Sequence, residues 1–389
     1  MTADPYAVMS ADPWSPDNPD GYIDLSVAEN RLVFDLLAPK LTAPRSLTAE
    51  DTHYQDLAGS PSLRRELARF LTELQGPEVD PADLVVLGGA GAALEILAFA
   101  LCDPGDGIVV PAPYFAGVDF AFSARAGVEV VPAWPETGLQ LTAEAVDRAI
   151  REAPVPVRAV ALLSPNNPLG VTYDEPTLRA VAEVAASHDL HLIADEIYAG
   201  SVHGSASFVS TASLVPSALP AERLHVVWGF AKDFGLSGFK VGVLHTRNPE
   251  VRTIAQRLGR LATASSDTQA VLRDLLADRE WTKSFLTESR TRLATSYQLT
   301  TEALDAAGIP YLPATAGLFL YLDLSQFLPE PTFESERALA DRIFTEARVH
   351  LTPGAAFHTP LPGHYRLCFA TTPQAVTTAI ARLAGLLTA

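Results

Sequence analysis

Residues 157–198 read VRAVALLSPNNPLGVTYDEPTLRAVAEVAASHDLHLIADEIY. A short apolar run, VRAVALLS, predicts a strand. TLRAVAEVAASH carries apolar residues at helical spacing, and HLIAD predicts a second strand. Apolar strands joined through a helix lie parallel and are covered on both faces. The same alternation extends outward. DLVVL, GIVVP, VEVVPA, LHVVWG and VGVLHT read as strands, and GAALEILAFAL and TAEAVDRAIRE as helices. SPSLRRELARFLTEL is a helix opened by Ser-Pro. From about residue 249 the pattern turns helical, with VRTIAQRLGRL, TQAVLRDLLAD and a long helix over about 281–307. The tail mixes strands (GLFLYLDL, YRLCF) with helices (ERALADRIFTEA, PQAVTTAIARLAGLL).

This predicts an α/β protein whose large three-layer domain has a mostly parallel sheet, with a smaller α+β domain built from both chain ends. The expected divisions are 1–45 for an N-terminal arm and part of the small domain, 46–285 for the large domain, and 286–389 for the small C-terminal domain. The first 20 residues, rich in Pro and Asp, read as an extended arm.

The chain has 389 residues, 48% of them hydrophobic, and a formal net charge of −18. A single core rarely grows past about 250–300 residues, so two domains are expected. An acidic surface repels phosphate backbones and anionic lipid, which argues against nucleic acid and membrane partners. No apolar run is long enough to span a bilayer. The opening MTADPYAVMSADPW lacks a basic start and an apolar segment, so it does not read as a signal peptide. The expected location is the cytoplasm. Cys102 and Cys368 sit in apolar runs and read as core thiols.

Parallel sheets bind ligands beyond the carboxyl ends of their strands. Asn167 follows the strand VRAVALLS in a tight Asn-Pro turn. Asp195 ends HLIAD, with Tyr198 three residues on, and Lys232 follows LHVVWG. Asn, Asp, Tyr and Lys in that order, each at a strand end, outline one candidate site. The stretch WGFAKDFGLSGFKVG (228–242) adds a second cation, Lys240, eight residues after Lys232.

With these frames in place the chain resembles fold-type I pyridoxal phosphate (PLP) enzymes of the class I/II aminotransferase family, and within it 1-aminocyclopropane-1-carboxylate (ACC) synthases. The likeness runs from about residue 21 nearly to the end. It is carried by LSVAENRLVFD, GGAGAALEILAFALCDPGDGIVVPAPYFAGVD, SPNNPLG, HLIADEIYAGSVHG, AKDFGLSGFKVG, GLFLYLDLSQFL, LTPGAAFH and PGHYRLCFA.

The resemblance implies that Lys232 carries PLP as a Schiff base and serves as base at the substrate Cα. Asp195 would keep the pyridine nitrogen protonated, making the ring an electron sink. Asn167 and Tyr198 would hydrogen-bond the phenolic oxygen. Phe115 would stack on the ring, with its neighbour Tyr114 a second candidate. Arg366, set in an apolar strand, would clamp the α-carboxylate of an amino-acid substrate. Glu29 matches the glutamate that distinguishes the synthases. The resemblance also implies a homodimer with its active sites at the subunit interface.

The phosphate cup departs from the family. Where the family has a Ser three residues before the lysine and an Arg eight after it, this chain has Gly229 and Lys240. The loop that usually offers a Thr hydroxyl has Gly91, between Ala90 and Ala92, so only amides at a helix start remain there. The tyrosine expected from the partner is replaced by Leu57, with Tyr54 three residues earlier as a substitute. Three readings follow: weaker PLP binding, a cup rebuilt from other residues, or an altered or absent role for PLP. Three functions follow with them. One is an ACC synthase-like enzyme acting on S-adenosylmethionine, possibly in specialised metabolism. Another is an aminotransferase or other lyase on a different amino acid. The third is an aminotransferase-fold protein that has lost PLP chemistry.

Overall fold

A computed structural model of the protein describes residues 5–45 and 47–388. Residues 1–4, which open the arm, residue 46, where the large domain is expected to begin, and residue 389 lie outside the described residues.

In chain order the strands are β1 (Ile23–Asp24), β2 (Leu84–Leu87), β3 (Gly107–Pro111), β4 (Glu129–Ala133), β5 (Val157–Leu163), β6 (His191–Asp195), β7 (Leu224–Gly229) and β8 (Gly242–Thr246). There follow β9 (Tyr311–Leu312), β10 (Phe319–Asp323), β11 (Val349–His350), β12 (Thr352–Pro353) and β13 (His364–Cys368). Seven of them form one sheet, ordered β2-β8-β7-β6-β5-β3-β4. Neighbours from β7 to β4 run parallel, and β8 runs against both β7 and β2. Alternate side chains of β5 serve opposite faces. Ala159, Ala161 and Leu163 join the core under the helix Ala90–Leu101, and Val160 and Leu162 join the core under the helix Glu175–Ser187. Burying both faces of such strands is worth about 1.5–3 kcal/mol per large side chain, and it makes these runs continuously apolar in sequence.

The register sets Leu163 beside Asp195 and Asp195 beside Val227. Three strands therefore end at one level, and the loops carrying Asn167, Tyr198 and Lys232 start together.

A second sheet, ordered β12-β13-β10-β9, is antiparallel throughout. β1 pairs in parallel with β11, which fastens the N-terminal segment to the C-terminal part of the chain. The helix Arg279–Ala307 runs across the division expected at 285/286. Its Phe285 and Leu286 pack with the core around Trp228 and Phe234. Its Leu293 and Leu304 pack with the core of Phe319, Leu322, Val349 and Leu383.

The expected extended arm is a helix over Pro5–Ala11. Proline is tolerated in a first helical turn, and Met9 is buried, so a local apolar contact folds a segment whose composition reads as loop. Helices over Phe34–Leu41 and Gly117–Ser123, absent from the sequence reading, are present too. Both cysteines are free thiols, Cys368 buried and Cys102 partly so. Among the described residues no helix is long and apolar enough to cross a membrane.

Candidate active site

At the carboxyl ends of β5, β6 and β7 lies a cavity of about 460 Å³. It is lined by Asn167, Asp195, Tyr198, Lys232, Lys240, Arg366, Phe115 and Ala90, Gly91 and Ala92, all drawn from the sequence reading.

Asp195 is the last residue of β6. Its Oδ1 accepts the Ile197 N–H at 3.1 Å, and Oδ2 has no hydrogen-bond partner among the described residues. Burial pushes its carboxyl up to about 6, against the pull of the Ile197 hydrogen bond and the Lys232 charge. Lys232 stands on a single helical turn, Phe230–Asp233, that continues β7. The next residue pins this turn. Asp233 accepts from Gly200 N at 2.8 Å, Ser201 Oγ at 2.7 Å and Trp228 Nε1 at 2.9 Å. Lys232 Nζ donates to the Ala28 carbonyl at 2.7 Å. Burial, and then the charge of Arg366, hold its ammonium below the usual lysine range.

Arg366 belongs to β13 and is 4% exposed. Nη1 donates to Asn167 Oδ1 at 2.8 Å and Nη2 to the Ser26 carbonyl. Nε is buried without a partner. The guanidinium carbon is 5.2 Å from the Phe319 ring centroid and 4.9 Å from that of Phe357. Among the described residues no carboxylate pairs with it. A buried cation is costly unless an anion answers it, and this one borders the same cavity as Lys232. Because Asn167 Oδ1 accepts from Arg366, the Asn167 NH2 is left for a ligand. The Tyr198 hydroxyl has no hydrogen-bond partner among the described residues, and its ring meets Phe319 edge-on at 5.4 Å.

Phe115 lines the cavity and folds across Gly117, where a Cβ would fall 2.2 Å from the ring. Tyr114, the second stacking candidate, is elsewhere. It is fully buried, donates to Asp119 at 2.7 Å and stacks on His358 at 4.6 Å. Glu29 is not in the lining either. Its side chain is partly exposed and faces Arg31 at 3.6 Å, while its neighbours Ser26, Val27 and Ala28 do line the cavity. Tyr54 and Leu57 are exposed and outside the lining of the cavity.

Sequence reading missed Ser237, which lines the cavity, and the backbone carbonyls of Ser26 and Ala28. Ser237 sits in the quoted 228–242 stretch, five residues after Lys232. The carbonyls have no sequence signal, since any residue supplies one.

These groups fit PLP. Lys232 answers an aldehyde, the free Asp195 oxygen a pyridinium N–H, and the free Asn167 NH2 and Tyr198 hydroxyl a phenolate. Lys240 and the first amides of the helix Ala90–Leu101 answer a phosphate.

Residues 21–383 match the model of the aminotransferase class I and II family. The chain is 36% identical over 387 residues to 1-aminocyclopropane-1-carboxylate synthase 6 of Arabidopsis thaliana, covering 94% of this chain and 78% of that protein. It is 34% identical over 388 residues to 1-aminocyclopropane-1-carboxylate synthase 2 of Solanum lycopersicum, covering 94% and 80%. A double mutant of Thermus thermophilus aspartate aminotransferase superposes with a TM-score of 0.82 at 28% identity, over 94% of this chain and 91% of that one. The chain therefore belongs to the aminotransferase class I and II family. It is a PLP-dependent, ACC synthase-like enzyme of that family.

Proposed function

We propose that the protein acts on S-adenosylmethionine: the Cα proton is removed, and the electron pair left at Cα forms a bond to the γ-carbon, closing a three-membered ring as methylthioadenosine leaves with the electrons of the Cγ–S bond. The observation that carries the reading is Arg366, a buried cation with no carboxylate partner at the edge of the cavity that holds Lys232. A guanidinium in that setting suits the α-carboxylate of an amino acid, which it grips in two prongs. The identity to proteins named as ACC synthases favours this substrate within the family.

Bound PLP supplies an electron sink for the charge left at Cα. Arg366 fixes the carboxylate, which sets the direction of the Cα–H bond. Burial and the Arg366 charge favour the unprotonated amine of Lys232, so its Nζ can accept that proton and hold it while the leaving group departs. Asp233 keeps the lysine turn in place. With PLP bound, Asp195 would keep the pyridine nitrogen protonated, Asn167 and Tyr198 would hydrogen-bond the phenolic oxygen, and Phe115 would cover the ring. The reading includes a homodimer in the cytoplasm, with Tyr54 serving the partner's cavity. The full exposure of Tyr54 supports the dimer.

The test is direct. Purified protein with PLP is mixed with S-adenosylmethionine and methylthioadenosine is measured; no release sinks the reading. Amino-group transfer is the second reading, and it has an observation of its own: Glu29 faces Arg31 rather than lining the cavity. Pyridoxamine phosphate formed on mixing with amino donors, and full activity in Glu29→Gln, would select it.

A further inference from the structure

Two of the hydroxyls that PLP enzymes of this family use on phosphate are missing here, at 229 and 91. We propose that Ser237 replaces them, and that Ser237 Oγ, Lys240 Nζ and the first amides of the helix Ala90–Leu101 form the phosphate anchor of this cavity. The proposal rests on the PLP reading of the site.

The backbone explains why the anchor moved. Gly229 and Gly242 are register partners on β7 and β8. A Cβ on Gly229 would fall 2.8 Å from the Val241 carbonyl oxygen, and one on Gly242 would fall 2.3 Å from the Gly89 carbonyl carbon. Three backbone segments thus lie too close for any side chain between them, and position 229 cannot present a hydroxyl. Position 91 has room but only a hydrogen.

Ser237 and Lys240 bracket one short turn. Ser237 opens the helical turn Ser237–Phe239, and Lys240 caps it with φ 53° and ψ 51°. Both residues line the cavity. The Lys240 Cε lies 3.9 Å from where a Cβ on Gly89 would be, which puts the lysine chain beside the helix start. Lys240 forms no ion pair among the described residues, although the chain carries a net charge of −18. An ammonium facing the positive end of a helix is repelled unless an anion sits with them. Ser237 Oγ donates to the Ala231 carbonyl at 3.1 Å. Rotation of its O–H turns that donor to an arriving phosphate oxygen.

The experiment titrates apoprotein with PLP and, separately, with pyridoxal, which lacks the phosphate. Binding is read by the visible absorbance of the Lys232 Schiff base and, for PLP, by the phosphorus NMR shift. Ser237→Ala is expected to weaken PLP about tenfold, move the phosphorus shift and leave pyridoxal unchanged. Ser237→Thr is expected to retain wild-type affinity. Lys240→Gln is expected to weaken PLP further and flatten its salt dependence. Wild-type PLP affinity in Ser237→Ala, or equal losses for both ligands, overturns the anchor while leaving the PLP reading standing. No Schiff-base signal with either ligand in the wild type overturns both.

Discussion

Restoring hydroxyls to the phosphate cup should succeed at one position and fail at the other. At Gly91 a Cβ meets nothing within 4 Å, and the residue lies in the first turn of the helix Ala90–Leu101. Gly91→Ser can therefore add a hydroxyl aimed at bound phosphate without displacing anything. A hydrogen bond to a charged group is worth about 1.5–3 kcal/mol, so PLP should bind roughly ten- to a hundredfold more tightly. Gly229→Ser is different. Its Cβ would press on the Val241 carbonyl at 2.8 Å and on Gly242 Cα at 3.2 Å. That carbonyl accepts the Phe230 N–H at 3.2 Å, so moving it strains the lysine turn as well. Overpacking of this kind costs about 1–3 kcal/mol, with about 1 more for the weakened hydrogen bond. Urea unfolding of the apoproteins measures the cost, and PLP titration measures the affinity. A Gly229→Ser variant that keeps its stability and tightens PLP, or a Gly91→Ser variant with unchanged affinity, refutes the reasoning.

Other perturbations follow from the same contacts. Arg366→Lys keeps the charge but loses the two-pronged grip, and should lower kcat/KM about ten- to a hundredfold, mostly through KM, in steady-state assays. Asp195, raised by burial to about 6, is neutral below that pH and cannot pair with a pyridinium. PLP affinity should therefore rise as pH climbs from about 5 to 7, and Asp195→Asn should flatten the profile. The same raised pKa lets the folded chain keep a proton that the unfolded chain releases from about pH 4 upward. The stability of wild type relative to Asp195→Asn should fall as pH rises from about 4 to 6, as read by urea midpoints. Gly200→Ala would put a Cβ 2.8 Å from Asp233 Cγ. It should cost about 1–3 kcal/mol and slow Schiff-base formation with pyridoxal, followed by absorbance.

What could be read from sequence was whatever sits at the end of an apolar strand. Asn167, Asp195, Tyr198 and Lys232 meet because parallel pairing aligns Leu163, Asp195 and Val227, and a continuous run of buried residues advertises each strand. Arg366 was legible for a related reason: a cation in an apolar strand calls for an anion. The rest depended on contacts without a residue code. The carbonyls of Ser26 and Ala28 reach cations 340 and 204 residues away. Phe115 and Tyr114 are adjacent and chemically alike, and the choice between them was made by Gly117 beneath one and by Asp119 and His358 around the other. The helix at Pro5–Ala11 was hidden because a single buried methionine, not a periodic face, holds it.

Ser26 and Ala28 lie two residues apart on a segment tied down by β1 pairing with β11 and by the Arg31 N–H on the Ala370 carbonyl. The Ser26 carbonyl holds Arg366 and the Ala28 carbonyl holds Lys232, so one short stretch of main chain positions two cations of the site. A displacement of this stretch would therefore reach Arg366 and Lys232 at once. Loosening that stretch by proteolysis or redesign would disturb both cations together. For protein engineering, the residues that anchor this stretch belong with the site, although they precede the first residue of the large sheet.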